Sequence, residues 1–279
     1  MKATVVAAVS LCASDDVAAN VATTIELIEQ AAAAGAEVIS LPEAVSYIGG
    51  HRGKRSMAEA VPGDGPIYSA LQQSARSLGV DLIAGGFHEA IPGETVDGTG
   101  QTWNSCLHIT PEGDLAACYR KIHLFDVELA DGTVLTESAN TRAGDALVTT
   151  ELPFGRLGLT ICYDVRFAEL YLALTDAGAI AHTVPSAFTS HTGAAHWHTL
   201  LRARAIETGS YVIAPAQYGR HNRKRASYGH SLIIDPWGSV LAEHEDGDGF
   251  ALATVDPNRV AEVRREMPSL RHRVPLPTP

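Results

Sequence analysis

Apolar and polar positions follow two rhythms along this chain. Residues 3–12 form an apolar run rich in valine, and Asp15 or Asp16 stands ready to cap a helix behind it. Val17, Val21, Ile25 and Ile28 then recur at spacings of four, four and three, which puts them on one helical face. Gly35 stops that helix, and Glu37-Val38-Ile39-Ser40-Leu41 reads as a short buried strand ending at Pro42-Glu43. A second helix opens with Pro66, turns Ile67, Leu71, Ser74 and Leu78 to one side and stops at Gly79. Val80 to Phe87 is the next strand.

From residue 101 the rhythm changes to hairpins. Thr102–Thr110 and Leu115–Lys121 flank the turn Pro111-Glu112-Gly113-Asp114, and a second pair flanks Pro153-Phe154-Gly155-Arg156. Leu157 to Cys162 predicts a strand, about Arg166 to Ala177 a helix, Ala179–Val184 a strand and His196–Thr208 a helix ended by Gly209. A hairpin at Asp235-Pro236-Trp237-Gly238, a strand near 250–255 and a short helix after Pro257 close the pattern. Two strand–helix runs, each followed by hairpins, predict two similar halves packed sheet on sheet with helices outside. No linker separates them, so residues 1–279 are read as one α/β domain with a C-terminal tail from about 268. Segments 49–65 and 91–100, rich in glycine and polar residues, read as loops, the first bordering whatever Glu43 does.

Composition narrows the function classes. Of 279 residues, 46% are hydrophobic and 19% charged, which suits a globular enzyme and not a disordered chain. A net charge of −11 argues against nucleic acid or an anionic membrane as partner. No apolar run approaches the roughly 20 residues that span a bilayer, and the start, Met1 to Val9, reads as a strand and not as a signal peptide. Cys12, Cys106, Cys118 and Cys162 show neither CxxC spacing nor a disulfide framework, so a reduced, cytoplasmic protein is expected.

Three segments carry chemistry: Leu41-Pro42-Glu43, Tyr119-Arg120-Lys121-Ile122-His123 and Thr160-Ile161-Cys162-Tyr163-Asp164. Each puts a reactive side chain where a strand ends, and strand ends of an α/β sheet converge on the edge where ligands bind. Taken singly, each has a plainer reading. A lone cysteine is usually a small core hydrophobe, and a terminal Glu or Lys is usually solvated.

Together these segments resemble the Glu–Lys–Cys signature of the nitrilase superfamily, and the similarity runs over essentially the whole chain. Pro185-Ser186-Ala187-Phe188, Gly193-Ala194-Ala195-His196-Trp197 and Leu201-Arg202-Ala203-Arg204-Ala205-Ile206-Glu207 resemble the Nit branch. Ala216-Gln217-Tyr218-Gly219-Arg220-His221 and Lys224-Arg225-Ala226-Ser227-Tyr228-Gly229-His230 are more similar to its deaminated-glutathione amidases than to its ω-amidases. Ala168 departs from the pattern, standing where many relatives have proline.

The resemblance implies a four-layer αββα sandwich and a hydrolase of small carboxylate-bearing amides. Cys162 would be the nucleophile, Glu43 the general base, and Lys121 with the Tyr163 backbone N–H the oxyanion stabilisers. Proximity to Lys121 and to a following helix would favour a Cys162 thiolate. Glu137 would orient Lys121 or position substrate, although on sequence alone it is equally a turn residue.

Tyr47, Phe188, His196 and Arg220 are the expected substrate contacts, with the basic run to Arg225 gathering carboxylates. His191, His196 and His198 have spacings a metal could use, but no second ligand cluster completes a site; neither metal nor other cofactor is expected. Arg204 and Glu207 are placed for an i,i+3 ion pair.

The implied substrate is deaminated glutathione, cleaved to 2-oxoglutarate and cysteinylglycine. An ω-amidase acting on 2-oxoglutaramate, an N-carbamoyl or aliphatic amide hydrolase, and a silent binding scaffold remain alternatives. A papain-like protease does not fit, for want of its local cysteine signature. A homodimer or larger homo-oligomer is expected, with the tail around Val274-Pro275-Leu276-Pro277 a candidate contact.

Overall fold

The computed structural model describes residues 1–94, 100–128 and 134–275. The first half comprises β1 (Thr4–Leu11), α1 (Val17–Ala33), β2 (Val38–Leu41), α2 (His51–Ser56), α3 (Pro66–Leu78), β3 (Asp81–Ala90), β4 (Thr102–Ile109) and β5 (Leu115–Arg120). A small hairpin of β6 (Asp126–Glu128) and β7 (Val134–Thr136) follows. The second half comprises β8 (Thr149–Leu152), β9 (Gly155–Leu159), a 3-10 turn at Cys162–Arg166, α4 (Ala168–Asp176), β10 (Ala181–Thr183), α5 (Ser190–Thr208) and β11 (Tyr211–Ala214). β12 (Ala216–Arg220), β13 (Ala226–Tyr228), β14 (Ser231–Ile234), β15 (Val240–His244), β16 (Gly249–Val255) and α6 (Pro257–Glu266) complete the chain order.

One sheet runs β13-β12-β1-β2-β3-β4-β5, with β16 pairing β1; the other runs β15-β14-β11-β10-β9-β8. β1, β2 and β3 are parallel neighbours, as are β9, β10 and β11, and antiparallel hairpins extend both sheets. The hairpin strands predicted around residues 111–114, 153–156 and 235–238 are thus β4–β5, β8–β9 and β14–β15.

Strand alternation assigns the layers. Val6 and Ala8 of β1 point to Leu157, Leu159 and Ile213 of the opposing sheet, forming the core between the sheets. Ala7, Val9 and Leu11 point the other way, onto Leu27, Ile28 and Ala31 of α1 and Leu71 and Ala75 of α3. In the second sheet Val212, Ala214, Leu232 and Ile234 face Leu170, Leu174, Trp197 and Leu201 of α4 and α5. Helix, sheet, sheet, helix: the fold is the αββα sandwich, because each sheet buries one face on its partner and the other under helices.

The structure departs from the sequence reading at four local points. The deepest face of α1 is Asn20, Thr24, Leu27, Ile28 and Ala31, with Val17 and Val21 only partly buried. Asn20 goes inside because its side chain accepts from Ser14 N at 2.9 Å and donates to Ser14 O and Ser46 O; hydrophobic periodicity does not register a buried amide of this kind. The 49–65 segment, read as loop, contains α2. α5 begins six residues earlier than His196, since Gly193 lets the helix press on β13: a Cβ there would lie 2.3 Å from Tyr228 Cβ. The helix expected from Arg166 is split into the 3-10 turn and α4, which starts at Ala168, a position proline also tolerates. Residues 95–99 of the second predicted loop and Leu276-Pro277 of the tail lie outside the described residues.

Candidate active site

Glu43, Lys121 and Cys162 sit just past the ends of β2, β5 and β9, as does Glu137 past β7. The Lys121 ammonium lies 2.8 Å from Glu137 Oε2 and 3.3 Å from Glu43 Oε1. Asn104, reaching in from β4, donates its amide to both carboxylates, at 2.9 Å to Glu43 Oε1 and 3.0 Å to Glu137 Oε1. The remaining oxygen of Glu43 accepts from the backbone N–H of Ala187 at 2.9 Å, and Phe125 N–H donates to Glu137 Oε2. Glu43 and Lys121 are 6% and 2% exposed, so these charges interact where water screens little.

Two of the chain segments that present the site turn sharply. Cys162 has φ +48° and Ala44, directly after Glu43, has φ +61°. Non-glycine residues in this region cost on the order of 1–3 kcal/mol and persist only where their surroundings hold them. At Cys162 the holding is explicit. Its N–H donates to Pro185 O at 2.9 Å, and buried Asp164 accepts from Ile161 N–H, from Tyr119 Oη at 2.7 Å and from His123. Arg204 Nε donates to Val165 O at 2.7 Å while its guanidinium pairs with Glu207, the i,i+3 pair read from sequence. Around Glu43 the strands close tightly: a Cβ on Gly86 (φ +64°) would lie 2.5 Å from Glu43 Cγ, and one on Gly85 2.0 Å from Pro185 Cβ.

The electrostatics follow from these contacts. Burial pushes Glu43 toward its acid form, but Lys121 and the hydrogen bonds from Cys162 and Asn104 outweigh burial and the repulsion of Glu137, and hold its pKa below the usual value. Burial acts likewise on Glu137, yet Lys121, Lys54 and the bonds from Lys121 and Asn104 bring it down to about 2. Burial disfavours the Lys121 ammonium, but Glu137, Glu43 and Cys162 together raise its pKa. The expectation of a resting Cys162 thiolate is overturned. Burial first, then the charge of Glu43 and the hydrogen bond to it, raise the thiol well above its usual value, and Lys121 only partly offsets them. The following helix adds little, being a five-residue 3-10 turn.

The architecture and the chain's sequence meet in one comparison: the carbon–nitrogen hydrolase family model matches residues 5–265. The chain belongs to the carbon–nitrogen hydrolase family. It is 43% identical to the deaminated glutathione amidase of Synechocystis sp. (strain PCC 6803 / GT-S), over 98% of this chain and 99% of that protein. It is 44% identical to the deaminated glutathione amidase of Homo sapiens, over 97% of this chain and 82% of that one. Among solved structures, the C. elegans NitFhit protein superposes with TM-score 0.90 at 38% identity, over 98% of this chain and 65% of that longer one. Saccharomyces cerevisiae Nit3, of the nitrilase superfamily, gives 0.84 at 28% identity, over 96% and 95%. As a member of this family the chain is a hydrolase of carbon–nitrogen bonds.

The four residues expected to contact substrate are placed unequally in this hydrolase. Tyr47 donates to Gly50 O at 3.2 Å and underlies α2, where a Cβ on Gly53 would come within 2.0 Å of its hydroxyl oxygen. Phe188 is buried against Trp197. Arg166 lies over the Phe188 ring and 3.3 Å from exposed His196. Arg220 is exposed at the end of β12.

Sequence reasoning missed two side chains of the site. Asn104 gave no distinct signal, being one polar residue among Thr102, Ser105 and His108 in the same strand. Lys54 gave none, lying in a segment read as loop. Its ammonium donates to Thr141 Oγ1 at 2.8 Å, just beyond Glu137, while Arg55 bonds Asn140. Burial lowers the Lys54 pKa, opposed by Glu137, and the charge of Arg225 acts on it as well.

Proposed function

We propose that this carbon–nitrogen hydrolase is an amidase for small carboxylate-bearing amides, with deaminated glutathione the first candidate, cleaved to 2-oxoglutarate and cysteinylglycine. The observation that carries the reading is the buried Glu43–Lys121–Glu137–Asn104 network beside the Cys162 elbow. The amidase relatives from Synechocystis and human support the substrate. Lys54 supports a carboxylate: its charge, which acts on Glu137, adds a second cation to the site beside Lys121.

Cys162 Sγ attacks the amide carbon while its proton passes to Glu43, the hydrogen-bonded base. Because the resting thiol is neutral, transfer and attack are coupled. Of the three Lys121 N–H donors, two are engaged by Glu137 and Glu43, and the third meets the oxyanion together with the Tyr163 N–H. Collapse breaks the carbon–nitrogen bond, Glu43 returns the proton to the departing amine, and a thioester remains. Glu43 then takes a proton from water, the resulting hydroxide attacks the thioester, and the proton goes back to sulfur.

Exposed Ile206, Trp237, Val240 and Leu241 support a homo-oligomer. Four cysteines without a disulfide support a cytoplasmic setting.

The test is a panel of deaminated glutathione, 2-oxoglutaramate, glutamine and a simple nitrile, with product release and intact mass both followed. Deaminated glutathione is expected to give the highest kcat/KM and a transient acyl adduct on Cys162. Preference for 2-oxoglutaramate would move the assignment to ω-amidase, and turnover surviving in Cys162→Ala would end it.

A further inference from the structure

A second cluster of reactive side chains lies on the outer side of the second sheet. His198 of α5, His230 just before β14 and Glu243 of β15 bring their ligating atoms within 4.8 Å of one another. His198 Nε2 is 2.8 Å and His230 Nδ1 2.6 Å from the same oxygen, Glu243 Oε1. The sequence reading paired His198 with His191 and His196 and found no completing ligands; the fold supplies them from two other elements.

We propose that His198, His230 and Glu243 form a site for a zinc-class divalent metal ion, with water as fourth ligand. Two imidazoles and one carboxylate are the donor set that borderline first-row cations take in open tetrahedral sites. Metal–ligand bonds of about 2.0–2.1 Å put tetrahedral donors about 3.3 Å apart, so each of the two imidazole–carboxylate contacts, at 2.8 and 2.6 Å, needs to lengthen by less than an ångström. The three side chains are 34%, 23% and 25% exposed, which leaves an entry path and room for water.

The surroundings fix the ligands. Tyr228 stacks on His230 at 4.3 Å and meets His198 edge-on at 6.1 Å. The main chain of His230, at φ +61°, is tied by Trp197 Nε1 donating to its carbonyl and by its own N–H donating to Glu245 O. Such outer contacts orient a metal ligand before the ion arrives. Bound metal would clamp α5 to the β14–β15 hairpin, a structural role independent of amide hydrolysis.

The experiment is a Zn2+ titration of chelator-stripped protein against a competing chromophoric chelator, for wild type, His198→Ala and Glu243→Gln. Co2+ substitution and thermal unfolding serve as second readouts. Expected are one equivalent of zinc per chain, a tetrahedral Co2+ visible spectrum, and a zinc-dependent rise in Tm. Both variants should lose at least about tenfold in affinity, together with the Tm response, while unfolding as cooperatively as wild type without metal. Absence of stoichiometric binding, or binding that survives in either variant, would overturn the proposal.

Discussion

The Lys121 ammonium stands closer to Glu137, at 2.8 Å, than to Glu43, at 3.3 Å. Glu137 therefore takes the larger part of the lysine's charge and leaves Glu43 freer to exchange a proton. Replacing it as Glu137→Gln removes that division: Lys121 then turns to Glu43 and makes it a weaker base. The expected outcome is a fall in kcat of about a hundredfold, comparable to losing an oxyanion donor, with KM little changed. Steady-state kinetics read this directly. An equal fall in binding with kcat intact would show Glu137 to be a substrate contact instead.

The neutral resting thiol sets the pH profile. Glu43 is held below its ordinary 4.5, Cys162 above 9.0 and Lys121 above 10.5. The acid limb of kcat/KM should thus fall below pH 4.5, since Glu43 must be ionised to act as base. No rising limb should cross pH 8–9, because activity does not wait for free thiolate to form. A profile that climbs with a thiol-like pKa near about 8.5 would contradict the coupled transfer from Cys162 to Glu43.

Lys54 is expected to select charge without touching the chemistry. Lys54→Met should raise KM for amides bearing a carboxylate by about tenfold, the scale of one charge-assisted hydrogen bond. KM for an uncharged amide and kcat for both should stay near wild type. An equal change for both substrates would make Lys54 a brace for the Glu137–Thr141 turn.

Gly86 lies where β3 passes behind Glu43, at φ +64° and with no room for a methyl group. Gly86→Ala meets backbone at Ala44 N and Glu43 Cα as well as side chain, so the neighbours cannot simply swing aside. Destabilisation of about 1–3 kcal/mol is expected, with a loss of activity larger than the unfolded fraction explains because Glu43 is displaced. Urea unfolding together with activity per folded molecule checks this.

Buried histidines outside the site set an acid limit on stability. Burial, aided by Arg264, pushes His182 down to about 3 from 6.5, and burial with Arg225 takes His221 to about 4. Their folded pKa values are lowered, so the unfolded chain binds the extra protons: stability is full above pH 6.5 and drains as pH falls toward 3–4. Each histidine contributes a slope of about 1.4 kcal/mol per pH unit in that window. Urea midpoints at pH 7 and 5 should differ accordingly, and His221→Gln should shallow the dependence.

Much of this protein was legible in its sequence because the signals are local. Valine-rich runs, glycine stops such as Gly79 and Gly209, and the Pro-Glu-Gly-Asp turn depend on neighbours a few positions away, so the succession of strands and helices, the layer count and the places of Glu43, Lys121 and Cys162 at strand ends could be read in advance. The joint role of those three residues came from the family resemblance. What the chain could not state was distance and field. That Asn104 bridges two carboxylates, that Lys54 leans on Thr141, and that His198 meets Glu243 all join residues remote in sequence, and polar side chains carry no periodicity to announce a partner. The protonation of Cys162 was decided there too. A lysine nearby argued for thiolate, but burial and an adjoining carboxylate act through space, and only the folded arrangement sets which charge prevails.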